Sequence, residues 1–141
     1  MAALVDTSFL FALSNRNDQS HIACANVART LRTRLIVPLT VLPEVAYLLD
    51  TRLGHTVMQQ FVSQMAAPGW TLEAVDQSDL KRAAAILQAY QDMRLDFVDA
   101  TLIAIAERLN IQQILTLDQR HFRIVRPTHC SAFELLPERK Q

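Results

Sequence analysis

Glycine is almost missing from this chain of 141 residues, which contains only Gly54 and Gly69. Dinucleotide-binding turns, phosphate-cradling P-loops and hydrolase nucleophile elbows all need closely spaced glycines, so those three kinds of site are excluded. Cysteine is equally scarce: Cys24 and Cys130 lie far apart, and neither has a second thiol nearby. That spacing gives neither a zinc knuckle nor a disulfide framework and predicts two reduced thiols in a cytoplasmic protein. Long apolar runs are lacking too. The most apolar stretch, 35–49, is broken by Pro38, Thr40, Pro43 and Glu44, and no basic segment precedes Asp6. Neither a membrane span nor a secretory signal is therefore expected. Nor is there an excess of one charge, since 14 basic residues balance 14 acidic ones. This removes the strong basic footprint of a protein that coats nucleic acid, while leaving room for a local patch. Only Lys81 and Lys140 are lysines, so the other bases are arginine, the better bidentate phosphate partner. A compositional bias explains that preference equally well.

What is present suits a globular protein, with 50% hydrophobic and 20% charged residues. Residues 1–141 fit one domain, which at this size buries about 68% of the unfolded surface. Ala3–Val5 form an apolar run ending at Asp6, and a polar loop at 14–20 leads to a helix predicted over 21–34, with Ile22, Val27 and Leu31 inward. A second strand is predicted over 35–39. Thr40 is then an N-cap candidate for a helix whose stripe is Val41, Val45, Leu48 and Leu49. Helix resumes at 55–65, Pro68 and Gly69 break it, and 70–75 reads as a strand. Asp76 or Ser78 can cap the next helix, with Leu80, Ala83, Ala84, Leu87 and Tyr90 at helical spacing. Residues 96–110 are apolar nearly all round, as in a central helix, and Asn110 suits a left-handed terminus. A fourth strand, 114–117, ends at Asp118, and the polar residues 137–141 are expected to fray. This alternation predicts a three-layer α/β/α fold with a mostly parallel central sheet.

In such a sheet ligands gather at the carboxyl ends of the strands, where Asp6 and Asp118 fall. Glu44 and Asp99 lie in the first turns of helices that start from the same edge. Four acids distant in sequence thus converge, and Asp99 shares an apolar stripe with Ile103 and Ala106. Clustered buried carboxylates repel and need compensation by ions, protons or donors. Hard divalent cations, Mg2+ or Mn2+, provide it. Bound metal can generate hydroxide and clamp phosphoryl oxygens, and two ions about 4 Å apart serve in-line displacement in many nucleases. No Ser/His/Asp or Cys/His constellation competes, and His21, His55, His121 and His129 lack metal-ligand spacing.

Structural readings stand beside these. Asp96 and Asp99 can form a capping box, Asp6 and Asp118 can be turn residues, and Glu44 can be an ordinary first-turn acid. Arg120, His121, Arg123 and Arg126 can grip a phosphate backbone or form a solvated face.

Four blocks carry a resemblance: Val5–Ser8 (VDTS), Pro43–Leu49 (PEVAYLL), Phe97–Leu109 (FVDATLIAIAERL) and Leu115–Phe122 (LTLDQRHF). Each is weak alone, but in this order and context they resemble the PIN-domain nucleases, especially the toxins of VapBC-type toxin–antitoxin pairs, over residues 3–126. The resemblance implies a Mg2+- or Mn2+-dependent endoribonuclease whose acidic quartet is Asp6, Glu44, Asp99 and Asp118. It implies Asp96 as an auxiliary acid and Thr7, Ser8 and Thr116 as supporting hydroxyls. An RNA substrate, a small antitoxin and a homodimer follow as implied partners. Asn110 stands where many relatives have glycine, which asparagine replaces in the left-handed region. A stand-alone RNA-processing nuclease and a non-catalytic protein-binding scaffold are the alternative readings.

Overall fold

A computed structural model describes residues 1–139. The chain runs β1 (Ala2–Val5), α1 (Thr7–Ser14), α2 (His21–Thr30), β2 (Arg34–Pro38), α3 (Val41–Leu53), α4 (His55–Ala66) and β3 (Trp70–Glu73). It continues through α5 (Gln77–Ala89), a 3-10 turn at Gln91–Met93, α6 (Phe97–Leu109), β4 (Gln113–Leu115), α7 (Gln119–Ile124) and β5 (Glu134–Leu136). The strands form one sheet in the order β3-β2-β1-β4-β5. Every pairing is parallel.

Parallel strands need crossover helices, and right-handed crossovers dictate which face each helix covers. The chain steps one way from β1 to β3, so α1 to α4 lie on one face. It then returns past β1 to β4 and β5, so α5, α6 and α7 lie on the other. Packing follows this division: α1 meets α2 and α3, α3 meets α4, and α5 meets α6. The expected three-layer arrangement is present. Reversal of direction places a topological switch point between β1 and β4, where a crevice opens at the strands' carboxyl ends.

The core is made by the strand interiors and by α6, whose residues from Val98 to Ala106 are all buried. Asn110 adopts the left-handed conformation at φ 56°, and Ile111 N–H closes the helix on Ala106 O at 2.8 Å. Gly54, at φ 102°, separates α3 from α4, a backbone angle that suits glycine.

Several sequence expectations are corrected. The second helix stops at Thr30 rather than 34, and its fully buried residue is Cys24, while Ile22 is 73% exposed. Leu80 is 44% exposed because α5 turns Asp79, Ala83 and Ile86 inward. Asp79 is held there by Arg108 at 2.8 Å, so an ion pair sets the buried face that apolar spacing alone misassigned. Thr40 makes no cap bond. Thr101 Oγ1 donates to Val98 O at 2.7 Å, so Thr40 Oγ1 donates to Thr101 at 2.9 Å and ties the start of α3 to α6. The third strand ends at Glu73 and the fourth is Gln113–Leu115. β5 was not foreseen, since three residues show no periodicity. Of the tail expected to fray, Pro137 accepts from Gln119 at 2.9 Å and Arg139 donates to Leu117 O. Residues 140–141 lie outside the described residues.

Ile103 is fully buried within α6. Ile103→Ala should lower stability by about 2–5 kcal/mol through lost transfer energy and a residual cavity, read as a lower urea midpoint at an unchanged slope.

Candidate active site

Asp6 follows directly on β1 and is 4% exposed. Its N–H pairs with Leu115 O at 2.9 Å, locking it to the end of β4. Thr116 Oγ1 donates to Asp6 Oδ2 at 2.8 Å. With that proton committed, Ser8 is the donor, its one hydroxyl proton shared between Thr116 Oγ1 at 3.1 Å and Asp6 Oδ2 at 3.3 Å, and Ser8 Oγ accepts Leu117 N–H at 2.9 Å. A directed chain therefore runs from Leu117 N–H through Ser8 and Thr116 to the Asp6 carboxylate, each link polarising the next. Thr116 Oγ1 also accepts Asp118 N–H at 3.1 Å, which fixes the turn that carries Asp118.

Asp99 sits in the first turn of α6. Asp96 caps that helix by accepting Asp99 N–H at 2.8 Å. In α5 the capping box is complete, because Asp79 bonds back to Asp76 N–H. No such return bond from Asp99 occurs among the described residues, so the cap occupies Asp96 and leaves the Asp99 carboxylate for the cleft. The half-buried Glu44 occupies the first turn of α3.

All four acids line one cleft of about 340 Å3, together with Thr7, Ser8 and Asp96. Asp99 and Asp118 also meet His121, which stands beside the cleft rather than in its lining, each of the three offering a ligand atom within 4.8 Å of the others. His121 Nδ1 lies 3.6 Å from Asp99 Oδ2, so His121 stands with the carboxylates and apart from the outward-facing Arg120 and Arg123. Arg126 turns its guanidinium back on the carbonyls of Arg123 and Ile124.

The electrostatics carry the cost of this convergence. Burial, then the nearby Asp96, Asp6 and Asp118, push the Asp99 carboxyl up to about 8. Burial raises Asp6 to about 6 against the hydrogen bonds from Thr116 and Thr7 N–H, with Glu44 and Asp118 adding to the rise. Two buried polar atoms, Thr7 Oγ1 and His121 Nδ1, have no hydrogen-bond partner among the described residues. Hard oxygen donors, excess negative charge and unsatisfied polar atoms together suit a divalent cation.

Sequence reasoning missed five residues that line this cleft, the apolar Phe11, Leu48 and Leu117 and the charged Asp18 and Arg52. Arg52 is its only basic side chain among the described residues and lies over the Phe11 ring at 5.7 Å. Its signal was present: Glu44, Leu48 and Arg52 recur every fourth residue along one face of α3. Asp18, in an irregular loop, carries no such spacing.

Residues 3–127 match the PIN domain, and the chain belongs to that family. Over 134 residues it is 31% identical to Ribonuclease VapC26 of Mycobacterium tuberculosis, covering 95% of this chain and 99% of that protein. The crystal structure of Mycobacterium tuberculosis VapC20, a Sarcin-Ricin loop cleaving toxin, aligns with a TM-score of 0.79 at 26% identity, covering 84% of this chain and 91% of that one. A toxin-antitoxin complex from Klebsiella pneumoniae contains the same fold, at a TM-score of 0.65 and 22% identity, covering 87% and 92% of the two chains.

A carboxyl group held above its ordinary range binds its proton more tightly in the folded chain than in the unfolded one, so stability falls as pH rises between the two values. For Asp99 the interval runs from 3.8 to about 8. Melting curves in EDTA should therefore show the wild type losing stability from mild acid to pH 8, with a shallower loss in Asp99→Asn. At pH 8 the folded variant should melt above the wild type; a lower melting point would contradict the electrostatic account.

Proposed function

We propose that this protein is a VapC-type endoribonuclease, the toxin of a toxin–antitoxin pair, which hydrolyses RNA phosphodiester bonds with Mg2+ or Mn2+. The observation that carries this reading is the meeting of Asp6, Glu44, Asp99 and Asp118 in one cleft at the switch point. Its support is the 31% identity to a ribonuclease across 95% of the chain.

Asp6, Glu44, Asp99 and Asp118 would hold the cation, with ligand atoms of Asp99 and Asp118 within 4.8 Å of each other. When bound, it supplies a Lewis acid that lowers the pKa of water and neutralises charge on the scissile phosphate. The protein's own groups do the rest. Ser8 and Thr116 fix the rotamer of Asp6 and stabilise its ionised form. Asp96 orients α6 through its cap and raises the proton affinity of Asp99 through its charge. Thr7 lines the cleft with a hydroxyl still free to donate or accept. His121, beside Asp99, offers a nitrogen that ligates or carries a proton. Arg120 and Arg123 stand on the approach to the cleft as RNA contacts.

An antitoxin partner belongs to the same proposal, supported by the naming of the VapC20 relative as a toxin, and the homodimer implied by the family resemblance is proposed with it. No helix among the described residues is long and apolar enough to cross a membrane.

The test is cleavage of a structured RNA pool by purified protein with Mn2+, Mg2+ or EDTA. Asp6→Asn, Glu44→Gln, Asp99→Asn and Asp118→Asn should each lose roughly 100-fold or more of the metal-dependent rate while remaining folded. Protons compete with metal for Asp6 and Asp99, so cleavage at limiting metal should rise from pH 6 to 8. Persistent cutting by Asp99→Asn would end the assigned mechanism. A wild type with neither saturable Mn2+ binding nor cleavage would leave a protein-binding scaffold.

A further inference from the structure

Just past Asp118 the surface changes sign. Leu117 and Asp118 form a wall shared by the carboxylate cleft and a second cleft of about 480 Å3, which is lined by Arg120, Arg123 and Arg139. Arg123 and Arg139 also border a third hollow, which Gln119, Phe133 and Leu135 line with them and in which Glu138 is the acid. The concavity thus continues from the acidic cluster towards the edge strand β5.

Two of these arginines are anchored by neutral groups. Arg139 donates to Leu117 O at 3.2 Å and Ser20 Oγ at 3.4 Å, bridging the loops that follow β4 and α1. Arg123 donates to Gln119 Oε1 at 2.8 Å. Gln119 is buried, and its amide donates to Thr116 O at 3.0 Å and Pro137 O at 2.9 Å, joining the site to the tail that carries Arg139. Arg82 and Arg108, by contrast, are engaged by Glu107, Asp79 and Glu73. Among the described residues, Arg120, Arg123 and Arg139 form no ion pair within 4 Å.

A cluster of acids repels the polyanion it must cut, and a strand held against it needs cations on its flank. We propose that Arg120, Arg123 and Arg139 form a phosphate track that grips the RNA backbone on one side of the scissile bond, continuous with the carboxylate cleft across Leu117 and Asp118. This rests on the nuclease reading above and adds the direction in which the strand leaves the site. It also gives the C-terminal tail a role in substrate binding, with Arg139 as a contact residue. RNA is favoured over an acidic protein partner because the track shares a wall with the cleft assigned to phosphodiester cleavage, and guanidinium forks match phosphate oxygens.

The test uses a labelled single-stranded RNA of random sequence, bound to Asp99→Asn protein in Mg2+ so that it is not cut. Adding Arg120→Gln, Arg123→Gln and Arg139→Gln together should weaken binding at low salt about tenfold or more. The slope of log affinity against log salt should fall by about 0.7 per arginine, or about 2 in all. Arg139→Lys should keep the slope, and Arg126→Gln should leave slope and affinity unchanged. Melting curves establish that each variant is folded. If the folded triple variant keeps the slope while the wild type cuts RNA, the track is overturned and the nuclease reading stands. A wild type that neither binds nor cuts RNA removes both. Unchanged RNA binding with lost binding of a protein inhibitor assigns the surface to that partner and overturns the track.

Discussion

Repulsion among carboxylates brought together at one crevice is the constraint around which this molecule is arranged. Asp99 is buried beside Asp6, Asp96 and Asp118, and burial first, then the charge of those neighbours, raises its proton affinity. A chain bears such a cost only where its scaffold is firm enough to prevent the acids from relaxing apart. Here α6 is that scaffold, a helix buried on almost every side and capped at one end by Asp96 and at the other by Asn110. Thr40 and Thr101 then couple it to the start of α3, so the elements bearing Asp99 and Glu44 are pinned to each other near the cleft.

Polar groups divide the remaining work. The hydroxyls of Ser8 and Thr116 make a directed chain that favours the ionised form of Asp6, opposing the desolvation that raises it. This partial compensation goes with a smaller rise for Asp6, to about 6, than for Asp99, to about 8. Away from the crevice, Arg82 and Arg108 are paired with Glu107 and Asp79 and secure α5 against α6. Near it, Arg123, Arg126 and Arg139 are held by neutral carbonyl, hydroxyl and amide oxygens. A neutral total charge thus conceals an acidic pocket bordered by basic ground, which is a matter of placement rather than of composition.

Much of this was legible in the sequence where one physical signal dominated. Apolar runs ending in Asp6 and near Asp118 marked strands and their carboxyl ends, and the apolar continuity of α6 marked its burial. Where two signals competed, the reading failed. Apolar spacing put Leu80 inside, but the Arg108–Asp79 pair turned α5 the other way. Ile22 was assigned inward by its type, yet the fully buried residue of α2 is Cys24. Thr40 had the composition of a cap and instead bonds a threonine far along the chain.

The sequence by itself determined the alternation of strands and helices, the parallel sheet and the four acids, because periodicity and turn chemistry are local and each acid lies at an element boundary. Only the tertiary structure decided which of those acids share a cleft closely enough to perturb one another, that His121 stands beside them, that Arg52 and Asp18 line the same cleft, and that Arg139 lines its neighbour. β5 belongs to the same class: three residues carry no pattern, and pairing with β4 alone makes them a strand. The physical reason is common to all these cases. Burial and Coulomb interaction depend on distance through space, and residues such as Ser20 and Arg139, at opposite ends of the chain, come within hydrogen-bonding reach only after the sheet has closed its order.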